Sequence, residues 1–134
     1  MDTQQILNFC VKKIVEQGGP SMDQSDSCRY RGPNGAKCAI GHLIGDDEYL
    51  PAFEGNTVLA LSRNYSDIKF KNFDLTDCEV RILLVQLQEA HDRAAYETAY
   101  DSSTFLAEFE KRIGWMMEFH DFRNLTNPYT NGTI

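Results

Sequence analysis

Donor side chains of the kind that bind soft metals sit in two places along this chain. Cys28, Cys38 and His42 share one polar, glycine-rich segment, and Cys78 and His91 follow well downstream. Thiolate and imidazole are ligands that zinc takes readily. Cys38 and His42 are one helical turn apart and can converge on an ion, while the stretch from Cys28 to Cys38 can close a loop around it. His91 or Cys78 would supply the fourth ligand. The spacing is not the paired Cys-x2-Cys of a strong zinc signal. Cysteines packed to hold the loop against the helices account for the same pattern without a metal.

Cys38 also has the setting of a nucleophile. It follows a glycine loop, and if it opens a helix the positive end of the dipole stabilises its thiolate. His91 would then be the base, with Asp92 or Asp121 to orient it, and the reaction would be attack on an amide or acyl group. Successive residues on a helix point about 100° apart, which makes Asp92 a poor orienter for its neighbour. The competing expectation for His91 is a histidine at the edge of the core, its ring nitrogen bonded to a backbone carbonyl of the glycine-rich segment.

That segment is locally basic in an acidic protein. Arg29, Arg31 and Lys37 lie close to Tyr30 in the chain, a set that can hold an anion while the tyrosine stacks on a base. Sequestering a nucleotide signal is the function this suggests. Gly32-Pro33-Asn34-Gly35-Ala36-Lys37 has the outline of a phosphate loop. It lacks the Gly-Lys-Ser/Thr ending and a hydrophobic strand before it, which excludes nucleotide hydrolysis. Acidic residues cluster as Asp46-Asp47-Glu48 and as Asp23 with Asp26. They can mimic a nucleic-acid backbone against a basic partner, or simply keep the surface soluble.

The elements that must position these groups read as helices. Ile6, Leu7, Cys10, Val11, Ile14 and Val15 recur at intervals of three and four, predicting a helix from about Thr3 to Gln17, capped by Asp2 or Thr3 and stopped by Gly18-Gly19-Pro20. Asn34-Gly35 predicts a tight turn. Around it the chain makes either a short hairpin or a loop that leads into a helix from Cys38 to Ile44, and the second is favoured. Asn56 or Thr57 caps a short apolar segment, and residues 64–74 form a loop or one short strand. Thr76 and Glu79 match a capping box ahead of a long helix with Val80, Leu83, Leu84, Leu87, Ala90, His91, Ala94 and Ala95 on its buried face. Ser102 or Ser103 begins a last helix with Phe105, Leu106, Phe109, Ile113, Met116 and Met117 inward. Trp115 falls off that stripe and can meet a partner or a second copy, so a homodimer is possible. The expected fold is mainly α, a small helical domain over residues 1–123 with an irregular Gly-rich loop or short β-hairpin insert. Residues 124–134 have little to bury and would be a flexible tail.

With 134 residues, 42% of them hydrophobic, the chain suits one domain with a real core. Thirteen Lys and Arg against twenty Asp and Glu give a net charge of −7, which disfavours direct nucleic-acid binding. The first residues lack the basic and apolar regions of a signal peptide, and no stretch approaches the roughly 18 apolar residues of a membrane span. A cytoplasmic protein with reduced cysteines is the expectation.

Taken together, the run from Cys28 to Ile44 (CRYRGPNGAKCAIGHLI), then Tyr49-Leu50-Pro51-Ala52-Phe53-Glu54-Gly55, then Leu87-Gln88-Glu89-Ala90-His91-Asp92 resembles a family of small proteins carried by tailed phages and prophages. Its members tend to show a Cys, a Tyr-Arg-Gly-like turn, a Cys-Ala-(Ile/Val)-Gly segment, a Glu-Gly pair and a Leu-Gln-x-x-His-Asp helix, with Cys as frequent as His at the position of His42. The resemblance spans about Ile6 to Asp92. It implies a protein active in the cytoplasm of a bacterial host, binding a host protein rather than turning over a substrate. Inhibition of a CRISPR effector or another defence component is its most concrete form, with Arg29, Tyr30, Arg31, Lys37, Asp46, Asp47 and Glu48 as contact candidates and no cofactor. Zinc and Cys38-dependent catalysis with His91 are the alternatives.

Overall fold

The computed structural model describes residues 1–22, 28–99, 101–119, 122 and 124–134. Asp23, Asp26 and Asp121 lie outside the described residues. Among those described, the chain forms four α-helices and no strand: α1 (Thr3–Gln17), α2 (Val58–Asn64), α3 (Cys78–Glu97) and α4 (Ser102–Phe119). The protein is therefore small and mainly helical. Among the described residues, no helix is long and apolar enough to cross a membrane.

Helix α1 forms where its periodicity predicts. Asp2 caps it, accepting from the Gln5 backbone amide while the Gln5 side chain returns the bond, and Gly18 ends it at φ +82° with its amide on the Ile14 carbonyl. That left-handed turn suits glycine, which carries no Cβ to clash. Ile6, Leu7, Cys10, Val11 and Ile14 are buried.

Helix α3 is the centre of the molecule and packs against α1, α2 and α4. All eight residues expected on its inner face are buried, from Val80 to Ala95. Its cap differs from expectation. Asp77, not Thr76, takes the backbone amides of Glu79 and Val80, and Thr76 instead donates its hydroxyl to Asp74 at 2.6 Å. A carboxylate offers a full charge to the positive end of the helix, which a hydroxyl cannot match. On α4, Phe105, Phe109, Ile113 and Met116 are buried as predicted, whereas Trp115 is 43% exposed.

The helix expected from Cys38 to Ile44 does not form. The chain makes turns there, with His42 N–H on the Cys38 carbonyl at 3.2 Å and Leu43 N–H on that of Ile40 at 2.9 Å. Cys38, Ala39, Ile40, Gly41, Leu43 and Ile44 are all buried. A surface helix buries one stripe only, so a run enclosed on nearly every side threads through the core as irregular chain. Before it, Arg31 and Lys37 make an isolated antiparallel bridge across the Pro33–Gly35 turn, and Met22 makes another with Cys28. Asn34 and Gly35 take φ of +59° and +76°, as that dipeptide predicts. Asn64 closes α2, and residues 65–74 are loop.

The segment 124–134 lies along α1. Thr126 and the Gln4 side chain exchange hydrogen bonds of 2.7 and 3.0 Å, Asn131 donates to Asn8 at 3.1 Å, and Pro128 is buried. Leu125 and Tyr129 pack against the core.

Candidate functional site

His91 is fully buried on α3, and both its ring nitrogens are occupied. The Ser21 backbone amide donates to Nε2 at 3.1 Å. A backbone N–H needs a lone pair, so Nε2 is unprotonated and the proton of the neutral ring sits on Nδ1. Nδ1–H accordingly donates to Asp92 Oδ1 at 2.9 Å. Two expectations are corrected here. The partner in the glycine-rich segment is an amide rather than a carbonyl, which reverses the tautomer. Asp92 does orient His91: the 100° offset separates Cα–Cβ bonds, whereas Nδ1 lies near the backbone, within reach of a short carboxylate swung toward it. Gln88, one turn earlier, holds that carboxylate by a bond of 2.8 Å to the same oxygen.

The antiparallel bridge to Met22 carries Cys28 to this pair. A sulfur of Cys28, a ring nitrogen of His91 and a carboxylate oxygen of Asp92 all lie within 4.8 Å of one another, a group able to hold a metal ion. Of the ligands expected from sequence, Cys28 and His91 are brought together and Cys38, His42 and Cys78 are not part of the group. Asp92, absent from the expected set, completes it. Its signal was present as the acidic neighbour of a histidine on one helix.

Cys38 has no exposed surface. Burial pushes its thiol up to about 12, and the Gly41 amide donates to its sulfur at 3.3 Å. No helix starts at Cys38, so no dipole offsets the burial, and a protonated, enclosed thiol is a poor nucleophile. A soluble alkylating reagent applied to the native protein is expected to modify the exposed Cys78 and to leave Cys10 and Cys38 untouched until denaturant is added. Peptide mapping that found Cys38 labelled as fast as Cys78 would restore it as a nucleophile. His42 binds Gln17 Oε1 through Nε2 at 3.0 Å. Burial, with Lys37 and Lys13 nearby, pushes its pKa down to about 4. The ring is neutral at pH 7, and Nε2–H is the donor.

The basic patch is largely turned inward. Arg31 pairs with Asp46 at 2.7 Å, donates to the Ile44 carbonyl at 2.9 Å and lies over the Tyr49 ring at 4.6 Å. Arg29 stands 3.7 Å from Glu54. Tyr30 is 4% exposed and donates its hydroxyl to the Asn56 carbonyl at 2.6 Å, so its ring cannot stack on a base. Among the acids, Asp47 pairs with Lys71. Glu48 accepts from the amides of Gly45 and Lys71 at 2.9 and 2.8 Å.

Beside the triad runs a groove of about 870 Å³ between α3 and the start of α2. Cys28, Tyr30, Glu54, Val85, Asp92 and Tyr96 are among its lining residues, and His91 lies behind it. Glu54, which the sequence offers only as half of a Glu-Gly pair, has a structural role here. It accepts the backbone amides of Tyr30 and Arg31 at 2.9 and 3.1 Å, and the Tyr49 hydroxyl. That carboxylate is what fixes Cys28–Arg31 at the rim of the groove. No family model, curated protein or solved structure matches the chain.

Proposed function

We propose that the protein is a phage-type accessory factor that works in the host cytoplasm by binding, with the groove beside α3 as its contact surface. Its most concrete form is an inhibitor of a CRISPR effector or another defence component. One observation carries this reading. The three segments that bear the phage resemblance lie far apart in the chain, yet each sends residues to one groove: Cys28 and Tyr30, Glu54 and Gly55, and Gln88 with Asp92. The Cys38–Ile44 part of the first lies in the core. Grooves with apolar walls and a few placed polar groups are where ligands and partner segments dock. The site thus moves from the basic and acidic runs, where Arg31 pairs with Asp46, Arg29 stands beside Glu54 and Asp47 pairs with Lys71, to the groove.

The test is rescue of plaque formation on hosts that each carry one defined defence system, followed by titration of the rescued system's purified effector. The expected result is rescue on one host and inhibition complete at one chain per effector. Leu59→Arg and Tyr96→Ala, on the groove rim, should lower affinity by roughly tenfold or more, and Cys28→Ser, which removes the thiol alone, should still inhibit at one chain per effector. Failure on every host, or inhibition at far fewer chains than effector, would overturn the binding reading.

A second reading rests on the triad. The thiol of Cys28 beside His91 and Asp92 suits acyl or amide chemistry in place of Cys38, and it would act substoichiometrically and be lost in Cys28→Ser. The occupied Nε2 of His91 weighs against it, since a base must offer that lone pair. As a metal centre, the thiol, imidazole and carboxylate set fits zinc.

A further inference from the structure

The two hydrogen bonds of His91 place a condition on any metal at Cys28, His91 and Asp92. We infer that zinc at this triad and the hydrogen bond from Ser21 to His91 exclude one another, so that loading the metal unlatches the glycine-rich segment at Ser21 from α3. The inference rests on the zinc reading of the same three residues.

A neutral imidazole has one nitrogen with a lone pair in the ring plane and one with a proton. Nε2 now uses its lone pair to accept from the Ser21 amide at 3.1 Å. Nδ1 is the nitrogen beside Asp92, at 2.9 Å from Oδ1, and is placed to share a metal with that carboxylate. Coordination through Nδ1 leaves the ring proton on Nε2, where it faces the Ser21 N–H donor to donor. Coordination through Nε2 takes the lone pair that Ser21 uses. Either way the bond is lost. Cys28 binds as thiolate and its proton passes to solvent. With three protein ligands, the remaining position faces the groove, because Cys28 and Asp92 line it and His91 is buried behind them.

Loss of this bond need not disturb the segment itself. Two other bonds of Ser21 stay within it: Oγ donates to the Ala36 carbonyl at 3.3 Å, and the Ser21 carbonyl accepts from the Arg29 amide at 3.1 Å. The bond to His91 ties that internally braced unit to α3. One neutral hydrogen bond is weak beside coordination by a thiolate and an imidazole, so the metal prevails when it is present.

The experiment uses the full chain labelled with nitrogen-15, titrated with zinc chloride. Without zinc, NMR should show the His91 proton on Nδ1 and a coupling across the hydrogen bond between the Ser21 and His91 Nε2 nitrogens. One equivalent of zinc should add one ion per chain by native mass spectrometry, abolish the coupling and speed exchange of the Ser21 amide by roughly tenfold. Cys28→Ser, which leaves both His91 bonds in place, should show neither uptake nor change. Zinc bound with the Ser21–His91 coupling intact would overturn the latch and leave the zinc site standing. An unaltered chain that takes up no zinc would overturn both.

Discussion

Replacing Gly41 with alanine is expected to remove about 3 kcal/mol or more of stability, lowering the melting temperature by roughly 10 °C. A Cβ built on Gly41 would stand 2.0 Å from the Tyr30 carbonyl oxygen, 2.9 Å from its carbon and 3.3 Å from the Cys38 nitrogen. All three are backbone atoms, so no side chain can swing aside to make room. The substituted chain must push Cys28–Tyr30 away from the buried turn at Cys38–Gly41, and Cys28 and Tyr30 line the groove beside the triad. Gly114 is the control. A Cβ there meets nothing within 4 Å, and it lies inside α4, where alanine is favoured over glycine by about 0.5–1 kcal/mol. Gly114→Ala should therefore raise the melting temperature slightly. Thermal unfolding followed by circular dichroism reads both variants. A Gly41→Ala protein that melts within about 2 °C of the parent would refute the close approach.

That contact also marks the limit of what the sequence disclosed. Helices α1, α3 and α4 were legible because each needs only local information: an apolar stripe with a period near 3.6, a capping side chain, a glycine to stop it. Asn34-Gly35 was legible for the same reason, since its positive φ values are an intrinsic preference. Cys38–Ile44 was misread as a helix. Gly41 within it weakens a helix, and the enclosure of this run on several sides by distant parts of the chain forces it into turns. The site was half legible. Cys28 and His91 were both singled out, but the partner of Cys28 depends on how residues 18–57 fold back onto α3. No periodicity encodes that path. It is set by pairwise contacts across long separations, such as Ser21 with His91 and Glu54 with Tyr30. The offset of about 100° that would make Asp92 a poor orienter concerns Cβ directions and does not constrain where a carboxylate ends. The positive charges were read as a surface, whereas Arg31 is held by Asp46 and a buried carbonyl.

Glu54 shows how strongly that folded-back path depends on one side chain, and Glu54→Ala should be the second severe variant, at about 3–5 kcal/mol. The side chain is only 13% exposed and stands 3.7 Å from Arg29. One of its oxygens takes the Tyr30 amide, and the other takes the Arg31 amide and the Tyr49 hydroxyl. Truncation leaves two amides without an acceptor and a half-buried guanidinium without its counter-charge, and an unpaired buried donor costs more than its hydrogen bond was worth. Glu54→Gln separates charge from shape. Its amide nitrogen must face either one backbone N–H or the other, so one donor is lost and the cost should fall to about 1–2 kcal/mol. Denaturant unfolding gives both numbers. If the carboxylate acts as argued, Glu54→Gln should also retain the Ser21–His91 bond, whereas Glu54→Ala frees Cys28–Arg31 and with it the sulfur that faces Asp92. Equal stability of the two variants would mean that Glu54 contributes packing alone. The groove would then be positioned by the buried run from Cys38 to Ile44 and not by the carboxylate that spans it.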